Sequence, residues 1–155
     1  MSTHELRIRP AVHADSEALS DLAYRAIKSN GYDDTTMAKI STALEFTPTR
    51  LSTQRFWVAE EDCQIIGCLA LAPLDARTAE VRSFFIDPAY KNRGIGGQLW
   101  LRLLTIAQSQ GLTRLIAQAD PATLKFYESL GFVTEKMARS RTLPDKFVPH
   151  MIREI

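Results

Sequence analysis

Residues 91–97 read Lys-Asn-Arg-Gly-Ile-Gly-Gly, a basic turn running into closely spaced glycines, and helical periodicity begins directly after them. That combination suits a phosphate. Glycines let backbone N–H groups approach an anion closely, and the start of a helix adds a partial positive charge. Upstream, Val81 to Ile86 is apolar and ends at Asp87-Pro88, so the turn joins a strand to a helix. A dinucleotide-binding fingerprint would need a third glycine where Leu99 stands, with an acidic residue about twenty positions further on in strand context. A nucleoside triphosphate loop would need Gly-Lys-Ser/Thr, which is absent. What remains is a pyrophosphate cradle over Lys91, Asn92, Arg93, Gly94, Ile95 and Gly96. The plainer alternative is that the glycines only ease a strand-to-helix turn.

Composition narrows what such a site can serve. The 155 residues are 45% hydrophobic and 24% charged, with a net charge of +1. This is ordinary globular composition, at one domain's length, with core enough to fold without metal or disulfide staples. A chain this near neutrality has no global field to draw nucleic acid or an anionic membrane. Neither is expected as a partner, and any anion site must be local. Cys63 and Cys68 match neither zinc-ligand spacing nor a redox Cys-x-x-Cys pair, and read as reduced thiols. No metal is expected. MSTHELRIRP lacks the apolar stretch of a secretory signal, and the longest apolar run, Ile65 to Pro73, is far short of a membrane span. The expectation is a single cytoplasmic domain over residues 1–155.

The elements that must position the turn follow from periodicity. Leu6 to Arg9 alternates apolar and basic and stops at Pro10, a short edge strand. Asp15 starts a helix with Leu19, Leu22, Ala23, Ala26 and Ile27 at helical spacing, and Asn30-Gly31 stops it. Asp33 to Thr36 opens a second helix through Met37, Ile40 and Leu44, and Pro48 to Thr53 reads as a loop. Arg55 to Glu60 and Gln64 to Ala72 form a hairpin about an acidic turn at Glu61-Asp62. Glu80 to Ile86 is the strand feeding the glycines. The following helix carries Ile95, Leu99, Leu103 and Ile106 on one face and ends at Gly111. Leu112 to Gln118 is a buried strand. Pro121 fits the first turn of a helix with Leu124, Phe126, Tyr127 and Leu130, stopped by Gly131. Phe132 to Lys136 and Phe147 to Ile155 close the chain as strands around a polar loop, Arg139 to Lys146. The order βααβββαβαββ describes an α+β protein, with a mixed sheet and helices on both faces.

Two stretches together resemble the GNAT superfamily of N-acetyltransferases. The first runs Ile86-Asp87-Pro88-Ala89-Tyr90-Lys91-Asn92-Arg93-Gly94-Ile95-Gly96 and is similar to the family's Arg/Gln-x-x-Gly-x-Gly/Ala signature after a strand ending in Val/Ile-Asp-Pro. Lys91 stands where Arg or Gln is usual. The second, Asp120 to Phe132, is similar to Asn-x-x-Ala-x-x-Phe-Tyr-x-x-x-Gly-Phe. It matches at Phe126, Tyr127, Gly131 and Phe132, with Asp120 for Asn and Thr123 for Ala. The resemblance implies a GNAT-like acyl-CoA N-acyltransferase fold, with a mostly antiparallel mixed sheet of about seven strands.

The same resemblance implies acetyl-CoA as cofactor and an amine of a small molecule or peptide as acceptor. Pyrophosphate would be held by backbone amides from Arg93 through Gly97, with Gln98 next in the helix start, and Lys91 would add a point charge. The pantetheine arm would pair with the main chain of Phe84, Phe85 and Ile86, as an added strand does. Asp120 would either contact that arm or serve as a helix N-cap, which Asp does well. Tyr127 matches the family tyrosine near the CoA sulfur and is the candidate acid for the leaving thiolate. Glu80 is the candidate base, alternatively an edge-of-sheet glutamate paired with a nearby Arg. Even spacing along the strand puts Glu80, Arg82, Phe84 and Ile86 on one face. The acceptor would lie between the first two helices, the loop Ser29 to Asp34 and the late strands, with Tyr24, Tyr32, Trp57 and His150 as lining candidates. His4 and His13 read as surface residues. A homodimer paired through the late strands is a further expectation. The alternative function is an acyl-CoA-binding sensor without turnover.

Overall fold

A computed structural model describes residues 5–41 and 45–155. In chain order it contains β1 (Arg7–Pro10), α1 (Ser16–Lys28), α2 (Asp34–Ile40), α3 (Pro48–Thr53), β2 (Arg55–Glu61) and β3 (Gln64–Pro73). Then come β4 (Thr78–Ile86), α4 (Ile95–Ser109), β5 (Arg114–Gln118), α5 (Leu124–Ser129), β6 (Val133–Arg139) and β7 (Phe147–Glu154). The strands form one seven-stranded sheet in the order β1-β2-β3-β4-β5-β7-β6. Every neighbouring pair is antiparallel except β4 beside β5, which is parallel. The mixed, mostly antiparallel sheet expected from the sequence is the one observed. Leu44 and His4 lie outside the described residues.

Near-continuous apolar runs in β2 and β3 have a simple cause, since both faces of these strands are covered. Trp57, Ala59, Leu69 and Leu71 point to one face, where Leu99, Trp100 and Leu103 of α4 and Tyr127 and Phe132 complete a core. Phe56, Val58, Cys68 and Ala70 point to the other, against Leu19, Leu22 and Ala23 of α1 and Met37 and Ile40 of α2. A fully buried Leu or Phe side chain stabilises by roughly 1.5–3 kcal/mol relative to exposure, so each layer of helix is held chiefly by these contacts. Between β2 and β3 the loop is two residues, because Glu61 pairs with Gln64. Asp62 and Cys63 both take positive φ, 51° and 64°, the geometry that matches strand twist in a tight hairpin.

Four expectations change. Pro48–Thr53 is a helix rather than a loop, with Thr47 accepting from the Arg50 amide and Pro48 at the first helical position. Pro121 precedes α5 instead of lying in its first turn. β6 extends to Arg139, past the expected end at Lys136. The largest change is in β4. Cys68 pairs with Phe85 and Ala70 with Arg82, so β4 has one residue more than β3 across that interval. This is a β-bulge, and Ser83 within it has φ 52°. The extra residue reverses the alternation. Ala79 and Val81 before it, and Phe84 and Ile86 after it, pack against the α4 core, while Phe85 joins the opposite one. Glu80 and Arg82 therefore do not share a face with Phe84 and Ile86.

Candidate active site

β4 and β5 are paired only from Thr78–Arg114 to Glu80–Ile116. Beyond Glu80 the ladder stops, yet β4 continues to Ile86 and β5 to Gln118. The sheet splits there, and among the described residues the main chain of Val81 to Ile86 has no strand partner on that side. The opening is a cleft of about 1260 Å³, walled by β4, the glycine turn, the start of α5, the α1–α2 connection and the loop between β6 and β7.

At one end of the cleft the glycine turn is braced from outside. The Asp87 carboxylate accepts from the Ala89 amide at 3.0 Å and pairs with Arg25 at 2.9 Å. Asn92 has φ 64°, and Gly94, with φ 76°, is the residue that caps α4. A left-handed conformation there costs glycine nothing. The amides of Ile95, Gly96 and Gly97 fall in the first turn of α4, where a helix offers no internal acceptor. The Gln98 amide bonds back to the Gly94 carbonyl at 3.1 Å, which takes Gln98 out of the expected cradle. Arg93 turns its guanidinium away, onto the buried Glu61 at 2.7 and 3.1 Å and over the Tyr90 ring. Among the described residues Lys91 has no ion-pair partner, and it is exposed. A Cβ on Gly96 would lie 3.1 Å from the Phe126 ring, whereas Gly97 faces open space. Amides and a strand edge unpaired among the described residues, with room beside Gly94 and Gly97, fit a pyrophosphate with an extended arm.

Opposite the strand, α5 brings Tyr127 to the cleft. Its ring packs edge-on against Phe84, Phe126 and Phe132, with 6% of the residue exposed. Among the described residues no hydrogen bond takes its hydroxyl. Burial first, then the nearby Asp120 and Glu80 carboxylates, pushes the phenol well above its ordinary pKa. Asp120 forms a reciprocal cap. Its carboxylate accepts from the Thr123 amide at 2.9 Å, and its own amide donates to the Thr123 hydroxyl at 3.1 Å. Asn30 donates to the second carboxylate oxygen at 3.3 Å, and the Tyr32 phenol is raised in pKa by burial and by the nearby Asp120. The Asp120 carboxylate thus closes the turn that leads into α5, whose own N-cap residue is Thr123.

At the apex of the split sits Glu80, 2% exposed. Arg82 donates to one of its oxygens through Nε and Nη at 3.0 and 2.9 Å, and Arg141 reaches both oxygens at 2.7 Å. The glutamate is ion-paired, as one of the two expectations had it, but at the centre of the sheet and by two guanidiniums. Arg141 arrives from the loop between β6 and β7, which is tied down by its amide bonding to the Gln118 side chain at 3.0 Å. Arg50 of α3 donates to the Ser83 hydroxyl at 3.0 Å, within the bulge. The Cys68 thiol donates to the Ser83 carbonyl, and burial pushes that thiol up to about 12, leaving it inert.

Phe84, Phe85, Ile86, Lys91 to Gly97, Asp120, Tyr127 and Glu80 all line this one cleft, and Gln98 does not. Of the acceptor candidates only Tyr32 does. Tyr24 lies on α1 under Lys28, Trp57 is buried in the core beneath α4, and His150 bonds to the Arg139 carbonyl. The sequence reading missed Arg50 and Arg141. Thr47-Pro48 is a helix-start signal that could have found the first, whereas nothing local marks Arg141, which meets Glu80 from 61 residues away.

A sequence model of the Acetyltransferase (GNAT) family matches residues 20–132. The chain is 34% identical over 83 residues to the uncharacterized N-acetyltransferase YsnE of Bacillus subtilis, covering 50% of this chain and 54% of that protein. It is 34% identical over 85 residues to an amino-acid acetyltransferase of Mycobacterium tuberculosis, covering 53% and 49%. It thus spans about half the length of these curated relatives. Among solved structures, the PaiA N-acetyltransferase of Thermoplasma acidophilum in complex with coenzyme A superimposes with a TM-score of 0.82, at 19% identity, over 97% of this chain and 99% of that one. A GNAT family acetyltransferase of Elizabethkingia anophelis with acetyl-CoA bound gives 0.70, at 19% identity, over 97% and 98%. At such identities the structural likeness speaks for the fold. The sequence match runs from α1 through Phe132 and so takes in β4, the glycine turn and the tyrosine helix; on that ground this chain belongs to the GNAT acetyltransferase family.

Proposed function

We propose that this chain is an N-acetyltransferase that moves the acetyl group of acetyl-CoA to a primary amine of a small molecule or peptide, by direct attack in a ternary complex. The observation that carries the proposal is the split between β4 and β5, with unpaired turn amides at one end and the Tyr127 hydroxyl beside the open strand edge. Main-chain groups of Phe84, Phe85 and Ile86 would hold the pantetheine arm, and the amides of Ile95, Gly96 and Gly97 the pyrophosphate. Lys91 adds charge, while Asn92 and Arg93 set the turn. Bound there, acetyl-CoA supplies a thioester reactive toward an amine.

Tyr127 keeps its proton throughout the neutral range. A phenol raised above about 10 is a weaker acid than a thiol of about 8.5, so it serves by donating a hydrogen bond to the leaving sulfur. Glu80 acts as an anchor for Arg82 and Arg141 rather than as a base, since its oxygens are engaged by both. The positive charge those two arginines add beyond one carboxylate disfavours an ammonium nearby and so favours the free amine that attack requires.

The clamped Glu80 also favours a second reading, a sensor that binds acyl-CoA without turnover, because no free carboxylate stands ready to take the amine's proton. Calorimetry with acetyl-CoA, followed by CoA release over a panel of amines, separates the two. Binding with release on some amine is expected. Binding with release on none selects the sensor, and absence of acetyl-CoA binding sinks both. We further propose one domain over residues 1–155, acting in the cytoplasm where acetyl-CoA is made available, and pairing with a second copy through the late strands. Among the described residues no helix is long and apolar enough to cross a membrane.

A further inference from the structure

We propose that the acceptor carries an anionic group, a carboxylate or phosphate, and that Arg82 and Arg141 bind it at the apex of the split sheet. This deepens the acetyltransferase reading of the cleft and rests on it. Charge bookkeeping is the first support. Two guanidiniums share the single carboxylate of Glu80, which leaves one positive charge over. The other acids lining the cleft do not neutralise it. Asp120 is spent on the Thr123 amide and hydroxyl and on Asn30, and among the described residues no ion pair joins Glu45 to Arg82 or Arg141. Arg50 donates to the Ser83 hydroxyl at the bulge, and Lys146 stands over the Tyr32 ring at the rim.

Donor geometry is the second support. A guanidinium carries five N–H donors in a planar fork. Arg82 spends Nε and one Nη on Glu80, and Arg141 spends one Nη. Among the described residues no other side-chain hydrogen bond takes their remaining donors. Both side chains line the cleft, with 27% and 47% exposure, so those donors face the space an acceptor would fill. Bidentate recognition of a carboxylate or phosphate is the task such forks suit best. A polyamine or a lysine side chain would instead meet like charge. Glu80 is then a positioning residue. It fixes the two forks, buried, where the strands part.

The test uses the full chain with acetyl-CoA. Acceptors are compared in pairs: amino acids against their amides, an amino sugar against its phosphate ester, and a diamine. The anion-bearing member of a pair is expected to have kcat/KM about tenfold or more above its partner. Arg141→Gln should bring the pair within about twofold, through KM, and leave acetyl-CoA affinity unchanged. A titration with N-acetylglycine and with inorganic phosphate, followed by arginine side-chain NMR, needs no turnover. A saturable shift is expected in the wild type and its loss in Arg141→Gln. A response to the carboxylate alone assigns amino-acid-like acceptors, and to phosphate alone, phosphorylated amines. Preference for the diamine or the amide, or an anion shift absent or unaltered by Arg141→Gln, overturns the inference while acetyl-CoA binding stands. Failure to bind acetyl-CoA overturns the acetyltransferase reading, with the anion titration still readable on its own.

Discussion

Tyr127 holds a phenol whose proton is hard to remove, beside the cleft from which the proposed transfer would release a thiolate. Replacing it with Phe keeps the ring contacts to Phe84, Phe126 and Phe132 and deletes only the donor. Turnover of Tyr127→Phe is expected to fall by about 10²-fold, with acetyl-CoA affinity nearly intact; unchanged turnover would remove the role. The same phenol makes a stability prediction. Its pKa is raised in the fold, so above about pH 10 the unfolded chain gives up a proton that the folded chain keeps. Stability is unaffected below that point and falls as pH climbs from there toward the folded value. Urea titrations at rising alkaline pH should show this decline, and Tyr127→Phe should flatten it. At Glu80 the two roles make opposite predictions. As an anchor, Glu80→Gln raises the acceptor's KM through misplaced arginines and leaves the acid limb of the pH–rate profile where it was. Loss of that limb would restore the glutamate as the base.

At the scale of elements, the start of α4 separates folding from binding. Gly96→Ala would press a methyl group to 3.1 Å from Phe126, so the turn or α5 must give, with a cost of about 1 kcal/mol in thermal or urea unfolding. Gly97→Ala meets nothing in the protein and removes a helix glycine, so its stability should hold or rise by up to about 1 kcal/mol. Its acetyl-CoA affinity should nonetheless drop. An unchanged affinity in Gly97→Ala would mean that the turn's open side is not where the cofactor lies. These elements were legible from sequence because their causes are local: glycine at the left-handed cap, apolar residues at helical spacing, and Gly31, Gly111 and Gly131 just after α1, α4 and α5. What escaped had non-local or competing causes. The bulge at Ser83 is specified by the pairing of β4 with β3 and by bonds from Arg50 and Cys68, which no alternation within β4 reveals. It alone moved Glu80 and Arg82 off the face of Phe84 and Ile86. Arg141 escaped for the same reason, since its partner is set by the order of strands β5, β7 and β6 rather than by its neighbours in sequence.

For the whole molecule, the two edges of the sheet are unlike. β1 has four residues and ends at Pro10, with Arg9 tied into Asp15 and Glu60, so this edge is short and cannot donate at its end. β6 runs seven residues, and every one but Ala138 is exposed. Val133 and Met137 are 61% and 57% exposed, and Phe147 at the start of the adjoining β7 is 61%. A long edge with apolar side chains needs cover, which the proposed pairing with a second copy would supply. Two β6 strands meeting about a twofold axis would bury these apolar side chains together, on either side of the bulge between Thr134 and Lys136. The expected result is a dimer of about twice 17.4 kDa by sedimentation equilibrium at micromolar concentration. Met137→Glu, placing a charge on that apolar edge, should dissociate it, with native circular dichroism retained. Wild-type protein that sediments as a monomer across the micromolar range would refute the pairing. The catalytic cleft offers an independent check on the same variant. The loop carrying Arg141 leaves β6 directly, so loosening that edge should raise the acceptor's KM and leave acetyl-CoA affinity alone, since the glycine turn lies across the sheet on the far side of β4.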